Sequence, residues 1–467
     1  MVETFKKNKL LILFLVLIFC FSLFSLVFFT FEPDYFWHIK AGEVMGKSSK
    51  ILTHDVFSWY MTGKYWFSHE WLFEVLIYGM STIFPKYHVY IYCFITFLIL
   101  QLTIFLSNKD EYLKNVPFSM LWISLSAILF YGLQARPHMI SFCLLSFTIL
   151  ILYDIYNNEQ SRKYLFLPLI SLCWVNFHGG SSNLVYLLPI LFLLTGLFSF
   201  NTSKISAKKY TKLQIKKYIL CVVLGFIPLF FNPHGYKMIL YPYQNMGNSV
   251  MLSNIMEWHC SDLNVLNHYP YFLIAFLTFC FMFFSKKKIR FLDFLLFLFT
   301  LYLGLKSIRF WPFIYIVMSY CIWYYIPKRK LDKGTDAVLI ILSAIFIGLL
   351  LMFKPGTESY RKVNEKAIMV LKKENPQRLF NFYDYGGYLI YNDIEVFIDG
   401  RADLYSGYNF EDWLDIMDLD YNYPKLLKKY NFDYFIIPKK CGLATYLKTN
   451  SYDLIYSDSD VVIYKTI

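Results

Sequence analysis

Long apolar runs separated by short polar segments dominate the chain, and their length sets the first expectation. Stretches of roughly 17 to 25 mainly apolar residues are long enough to span a bilayer as helices. Such runs recur near residues 10 to 30, 87 to 107, 117 to 134, 138 to 156, 163 to 178, 182 to 200, 215 to 231, 270 to 285, 290 to 306, 308 to 326 and 336 to 353, about eleven in all. The first two are separated by residues 31 to 86, too long for a simple connector. Within it, "DYFWHIKAGEVMG" sets Phe36, Ile39 and Val44 against His38, Lys40 and Glu43. A second stretch, "HEWLFEVLIYGMSTIF", opens with acids in its first turn, where they suit a helix dipole. Both are expected to lie along the outer interface.

The pattern changes after residue 353, where "KPGTESYRKVNEK" begins a polar tail. Alternating stretches "EVFID", "FDYFIIP" and "LIYSDSDVVIYK" read as strands, the last a hairpin turning at Asp458 to Asp460. Residues 360 to 374 and 411 to 430 read as helices. The expected architecture is an α-helical polytopic membrane protein: a transmembrane domain over 1 to 353, and a small extracytoplasmic α/β domain over 354 to 467.

Composition agrees. The 467 residues are 57% hydrophobic and 21% aromatic, with mean hydropathy +0.42, outside the usage of ordinary soluble domains. The net charge of +12 lies in short runs between apolar segments, the pattern of cytoplasmic loops and not of a nucleic-acid surface. Placing the N-terminus inside makes every inner segment basic, including Lys6, Lys7 and Lys9, the run from Lys204 to Lys217, and Lys286 to Arg290. The predicted outer loops then hold only isolated cations, and the C-terminus falls outside. The first apolar run is of spanning length with no small-residue cleavage site, so it is read as an uncleaved first helix. Most of the nine cysteines lie in apolar runs; Cys260 and Cys441 lie in polar segments without metal-ligand spacing.

This orientation places all nine histidines at the outer face. With them fall "QARPH", "NFHGG", "NPHG", "MEWH" and "KSIRF", so candidate chemistry gathers on one side of the membrane. A carboxylate beside the bilayer is costly unless it is used. Asp34 has two compatible readings: a general base that takes a proton from an acceptor hydroxyl, or a helix N-cap. Glu70 is a second catalytic candidate, with a first-turn acid as its bland alternative. Arg136, Lys306 and Arg309 are candidates to hold the phosphate of a lipid carrier, since guanidinium forks match phosphate oxygens; the alternative is snorkelling. Lys306 stands one helical turn before Arg309, so the two are expected to share a face. His38, His69, His178, His234 and Glu257 complete the candidate site as substrate-binding residues. No tight metal-ligand spacing appears, and a divalent cation stays an open possibility. In the tail, Asp399, Arg401 and Asp403 form either a salt-bridged turn or part of an acceptor site.

"PDYFWHIKAGEVM", "ILTHDVFSW" and "WFSHEWLFEVLIY", followed in order by "QARPHMIS", "WVNFHGG", "NPHGYKMILYP", "MEWHCSDL", "KSIRFWPF" and "GGYLIYNDIEVFIDGRADLY", resemble a family. It comprises bacterial multi-pass proteins of the membrane C-type glycosyltransferase superfamily, related to the dolichyl-phosphate-mannose protein mannosyltransferases. The resemblance implies transfer of a sugar from a polyprenyl-phosphate donor to a protein, lipid or polysaccharide acceptor at the outer face of the cell membrane, with an acid of the first loop at the centre. Asp34 matches that acid. In this picture Phe36 and Trp37 anchor the interface, and His38 and Lys40 polarise the donor or hold phosphate. A non-catalytic scaffold of the same fold is the alternative, and a transporter or flippase a more remote one.

Overall fold

The computed structural model describes residues 2–29, 31–127, 129, 133–246, 258–265, 268–326, 333–352, 363–450 and 452–467. The chain divides into two compact units. The first is built from Met1–Thr30, Val89–Tyr243 and Ile255–Gly356, the second from Phe31–His88, Gln244–Asn254 and Thr357–Ile467.

The first unit is mainly helical. Asn8–Phe28, His88–Ser107, His138–Asn157 and Lys212–Phe230 are long and apolar enough to cross a membrane. Other expected spans are shorter. Residues 117 to 134 give the helix Val116–Leu125. The 182 to 200 run gives Leu184–Thr195, which stops at Gly196, where the Tyr210 ring leaves no room for a Cβ. Beyond it Phe200–Asn201 (β1) is extended and pairs antiparallel with Ile205–Ala207 (β2), which runs parallel to Ile289–Arg290 (β3). Neither the sheet nor its register is visible in a period-based reading of such short segments.

The core of this unit is aromatic, and three of its buried tryptophans have satisfied polar tips. Trp122, Trp174 and Trp311 are fully buried, and their indole N–H groups donate to Ser319 Oγ (2.9 Å), Ser141 Oγ (3.0 Å) and Ser261 Oγ (2.6 Å). A buried indole without such a partner forfeits about 1–3 kcal/mol. The carboxylate of Asp293 is fully buried too; it accepts from Tyr153 (2.7 Å), Tyr325 (2.6 Å) and Arg290 Nε (2.7 Å). Four groups are thereby satisfied at once, as burial of charge demands.

In the second unit the helices Asp34–Ser48 and Trp71–Ile83 pack closely because Gly42 has no side chain; a Cβ there would collide with the backbone of Glu74. Four strands, Leu379–Asn381 (β4), Tyr434–Pro438 (β5), Tyr452–Ser457 (β6) and Val461–Thr466 (β7), form a sheet in the order β4-β5-β7-β6. β4 and β5 are parallel, and the remaining pairs are antiparallel. The expected hairpin and its turn are present as β6 and β7. "EVFID" is not a strand: only Val396 makes a bridge, to Ser58 of the first loop, and the edge position belongs to Leu379–Asn381. The backbone of 396–398 is satisfied instead by Phe57 O (3.2 Å) and the Asn381 side chain (2.8 Å to Phe397 N). The 411 to 430 helix is two helices, Phe410–Asp418 and Tyr423–Tyr430, because Leu419 turns left-handed (φ 56°). The tail helix begins at Glu365, with Asn364 as its N-cap; residues 360 to 362 lie outside the described residues.

Candidate active site

The second unit collects the first-loop candidates. Pro33 is the N-cap of the Asp34–Ser48 helix and makes no side-chain cap bond, so Asp34 is the first helical residue and not the cap. As a first-turn acid it faces the positive end of the helix dipole. Its half-buried carboxylate lies against the α-carbon of Gly400: a Cβ added there would fall on Asp34 Oδ1 and stand 2.5 Å from its Cγ.

One turn further along the same helical face, His38 is buried between two acids. Its Nε2 is 3.5 Å from Glu70 Oε2, and its Nδ1 is 3.5 Å from Glu74 Oε1. Glu70 also lies 3.3 Å from His69 Nε2, and Ser68 Oγ donates to Glu74 Oε2 (3.2 Å). Burial pulls the His69 pKa down, but the Glu70 carboxylate outweighs it, with Asp403 adding to the effect, and the net value rises to about 9. Burial raises the Glu74 pKa, with His38 opposing. The result is a chain of alternating acid and imidazole groups beside the half-exposed carboxylate. Asp34 keeps access to solvent.

The turn that meets Asp34 is itself clamped. Arg401, 2% exposed, donates to Asp55 Oδ1 (2.5 Å), to Asp399 Oδ1 and Oδ2 (2.8 and 2.6 Å) and to Tyr405 (3.0 Å). Its guanidinium lies over Trp66 and Phe57, 4.8 and 5.2 Å from the ring centres. The salt-bridged-turn reading of Asp399 and Arg401 therefore holds, extended by Asp55, which sequence reasoning passed over.

Two expectations are corrected here. Phe36 and Trp37 are buried inside the unit: Phe36 packs on Tyr388 (5.0 Å) and Trp37 on Trp66 (5.9 Å). An amphipathic pattern reads the same whether its apolar face meets lipid or protein. Lys40 is held by Asp393 (2.6 Å) and Glu43 (3.0 Å), and its ammonium is engaged in these pairs.

The remaining candidates belong to the first unit, where they fall into two groups. His178 ends the helix Leu167–Phe177 and bonds through Nδ1 to Ser141 (2.7 Å), next to the "QARPH" segment of Arg136. Asn176 reaches Phe231 O (3.0 Å), drawing in the "NPHG" turn with buried His234. Gly179 makes room for the Met238 side chain, which occupies the space a Cβ would need. In the second group, Ile308 N bonds His259 O (3.2 Å), and Arg309 stacks over the Trp258 ring at 4.9 Å. Lys306 and Arg309 do not share a helical face: Lys306 ends the Phe291–Lys306 helix, and extended Ser307 separates it from Arg309. Glu257 lies outside the described residues.

Glu74 and Gly400 are the members of the site that sequence reasoning missed. The spacing of Glu70 and Glu74, four residues apart on one helix, was the available signal for the first; nothing local marks Gly400. Among the described residues no group of three or more His, Cys, Asp or Glu is arranged to hold a metal ion.

No protein-family model matches the chain, and no curated protein matches it in sequence. A solved structure does share its fold. An oligosaccharyltransferase of Archaeoglobus fulgidus, solved with an inhibitory peptide and a dolichol-phosphate, aligns with 97% of this chain and 74% of its own at TM-score 0.50 and 12% identity. The same organism's enzyme tethered to an acceptor peptide aligns over the same shares at TM-score 0.47 and 12% identity.

Proposed function

We propose that the protein is a membrane glycosyltransferase that moves a sugar from a polyprenyl-phosphate-linked donor to an acceptor at the outer face of the cell membrane, with Asp34 as base. The observation that carries the reading is the Asp34 carboxylate: half-exposed at a helix start, fixed against Gly400, and backed by the His38, Glu70, Glu74 and His69 chain. The fold shared with a dolichol-phosphate-binding oligosaccharyltransferase supports it.

In this mechanism Asp34 accepts the proton of an acceptor hydroxyl or amide as its oxygen or nitrogen attacks the sugar's anomeric carbon. The bond from that carbon to the carrier phosphate breaks, and the lipid phosphate leaves with the electron pair. Glu70 and the histidines beside it orient the acceptor and relay the proton outward. Arg136, Lys306 and Arg309 bind the donor phosphate, and His178, His234 and Glu257 contact the substrate. The charge pattern along the chain, with an inner N-terminus, eleven spans and an outer tail, supports a site on the extracytoplasmic side.

The test is sugar release from radiolabelled polyprenyl-phosphate-hexoses by the purified protein in lipid. Wild-type turnover that disappears in Asp34→Asn, with melting unchanged, supports the reading. A fully active Asp34→Asn variant removes the base, and no turnover by either well-folded protein favours a scaffold of this fold.

A further inference from the structure

The small sheet of the first unit joins two basic segments that are about 80 residues apart in the chain. β2 and β3 pair Ile205 with Ile289 and Ser206 with Arg290, and Ile289 N donates to Lys204 O (2.8 Å). Lys204, Lys208 and Lys209 thereby come to the same small sheet as Lys286 and Lys288, all five exposed. Neither 198–217 nor 283–290 contains an acid. The nearby carboxylates are engaged: Asp293 is buried with Arg290, and Glu159 accepts from Thr211 (2.6 Å).

Large apolar side chains border these lysines. Phe284 is 76% exposed and Phe198 56% exposed, and they flank the sheet at the ends of the same two segments. A soluble surface rarely combines fixed positive charge with exposed phenylalanines, whereas the headgroup boundary of a bilayer favours both. The lysines are also held in place: Lys288 Nζ donates to Asn201 Oδ1 (2.6 Å) and Thr202 O (2.7 Å), and Lys204 Nζ reaches Phe283 O (3.4 Å). A Thr211–Gln214 capping box stiffens the exit from β2 into the following helix.

We infer that this sheet is a docking surface for anionic phospholipid headgroups, with the lysines meeting phosphate and Phe198 and Phe284 entering the acyl boundary. The inference rests on the membrane reading alone and is independent of glycosyl transfer, so it stands or falls separately from the assay of Asp34.

The experiment is native mass spectrometry of the full chain in detergent, titrated with phosphatidylglycerol or phosphatidylcholine. The wild type is expected to retain phosphatidylglycerol preferentially, and added salt should erode the preference because the contact is screened. Replacing Lys204, Lys208, Lys286 and Lys288 by Gln should cut phosphatidylglycerol retention at least about tenfold and leave phosphatidylcholine unchanged; four Arg substitutions should preserve the preference. Phe198→Ser with Phe284→Ser should weaken both lipids alike. Equal retention of the two lipids by the wild type, a preference insensitive to salt, or a four-Gln variant that behaves as wild type overturns the inference.

Discussion

Replacing Gly400 by alanine tests the candidate site through a residue with no side chain of its own. The new Cβ would stand 2.5 Å from Asp34 Cγ and 3.1 Å from its Oδ2, whereas carbon contacts settle near about 3.5–4.0 Å. Asp34 is rooted in the first turn of its helix and Gly400 in a turn clamped by Arg401, and the Cβ would fall on Oδ1, so the carboxylate has to give way by at least about 1 Å. A displacement of that size costs about 10²-fold in turnover when the displaced group is a positioned base. The local overpacking costs about 1–3 kcal/mol of stability. The assay is hexose transfer at saturating donor beside a thermal melt. Gly79→Ala is the control: that position lies in the Trp71–Ile83 helix with nothing within 4 Å of a new Cβ, so it should be neutral or stabilising by about 0.5–1 kcal/mol. Wild-type turnover in Gly400→Ala would refute both the contact and the base assignment built on it.

Asp34→Asn should lower transfer by about 10²–10⁴-fold, the usual range for loss of a general base, with an unchanged melt. Arg401→Met strands the carboxylates of Asp399 and Asp55 in the interior; denaturant titration should show a loss of about 3–5 kcal/mol. His69 gives a pH signature. Its folded pKa of about 9 exceeds the unfolded value of about 6.5, so its contribution is full below about 6.5 and fades as pH rises through about 9. Urea midpoints across that window should fall for the wild type and flatten in His69→Gln; identical slopes would remove the Glu70 pairing.

Much of the helical pattern was readable because apolar runs reach spanning length whatever their neighbours do. The hairpin of β6 and β7 was readable as well, since Asp458 to Asp460 interrupts two alternating runs. One error concerns partners distant in sequence, the other a local backbone turn. "EVFID" alternates like a strand, yet Asn381 and the first loop take its hydrogen bonds. The split at Leu419 depends on a left-handed residue that no glycine or asparagine announces. At the site, Asp34 and Glu70 stood out as acids beside apolar runs, whereas Gly400 matters only because a carboxylate from residue 34 arrives above it.

The Arg401 clamp also sets an order of events during synthesis. Arg401 and Asp55 are 346 residues apart, and Trp59 donates to Leu379 O across 320 residues. β7 occupies an interior place in the sheet although it follows β6 in the chain, closing between β5 and β6. The first loop emerges early and waits, with its acids and tryptophans unpartnered by the tail, until residues 379 to 401 have been made. Contacts this distant form late because a long loop must close before they stabilise anything. Ribosome stalling or premature termination anywhere in between therefore leaves Asp55, Trp59 and Trp66 without their tail partners.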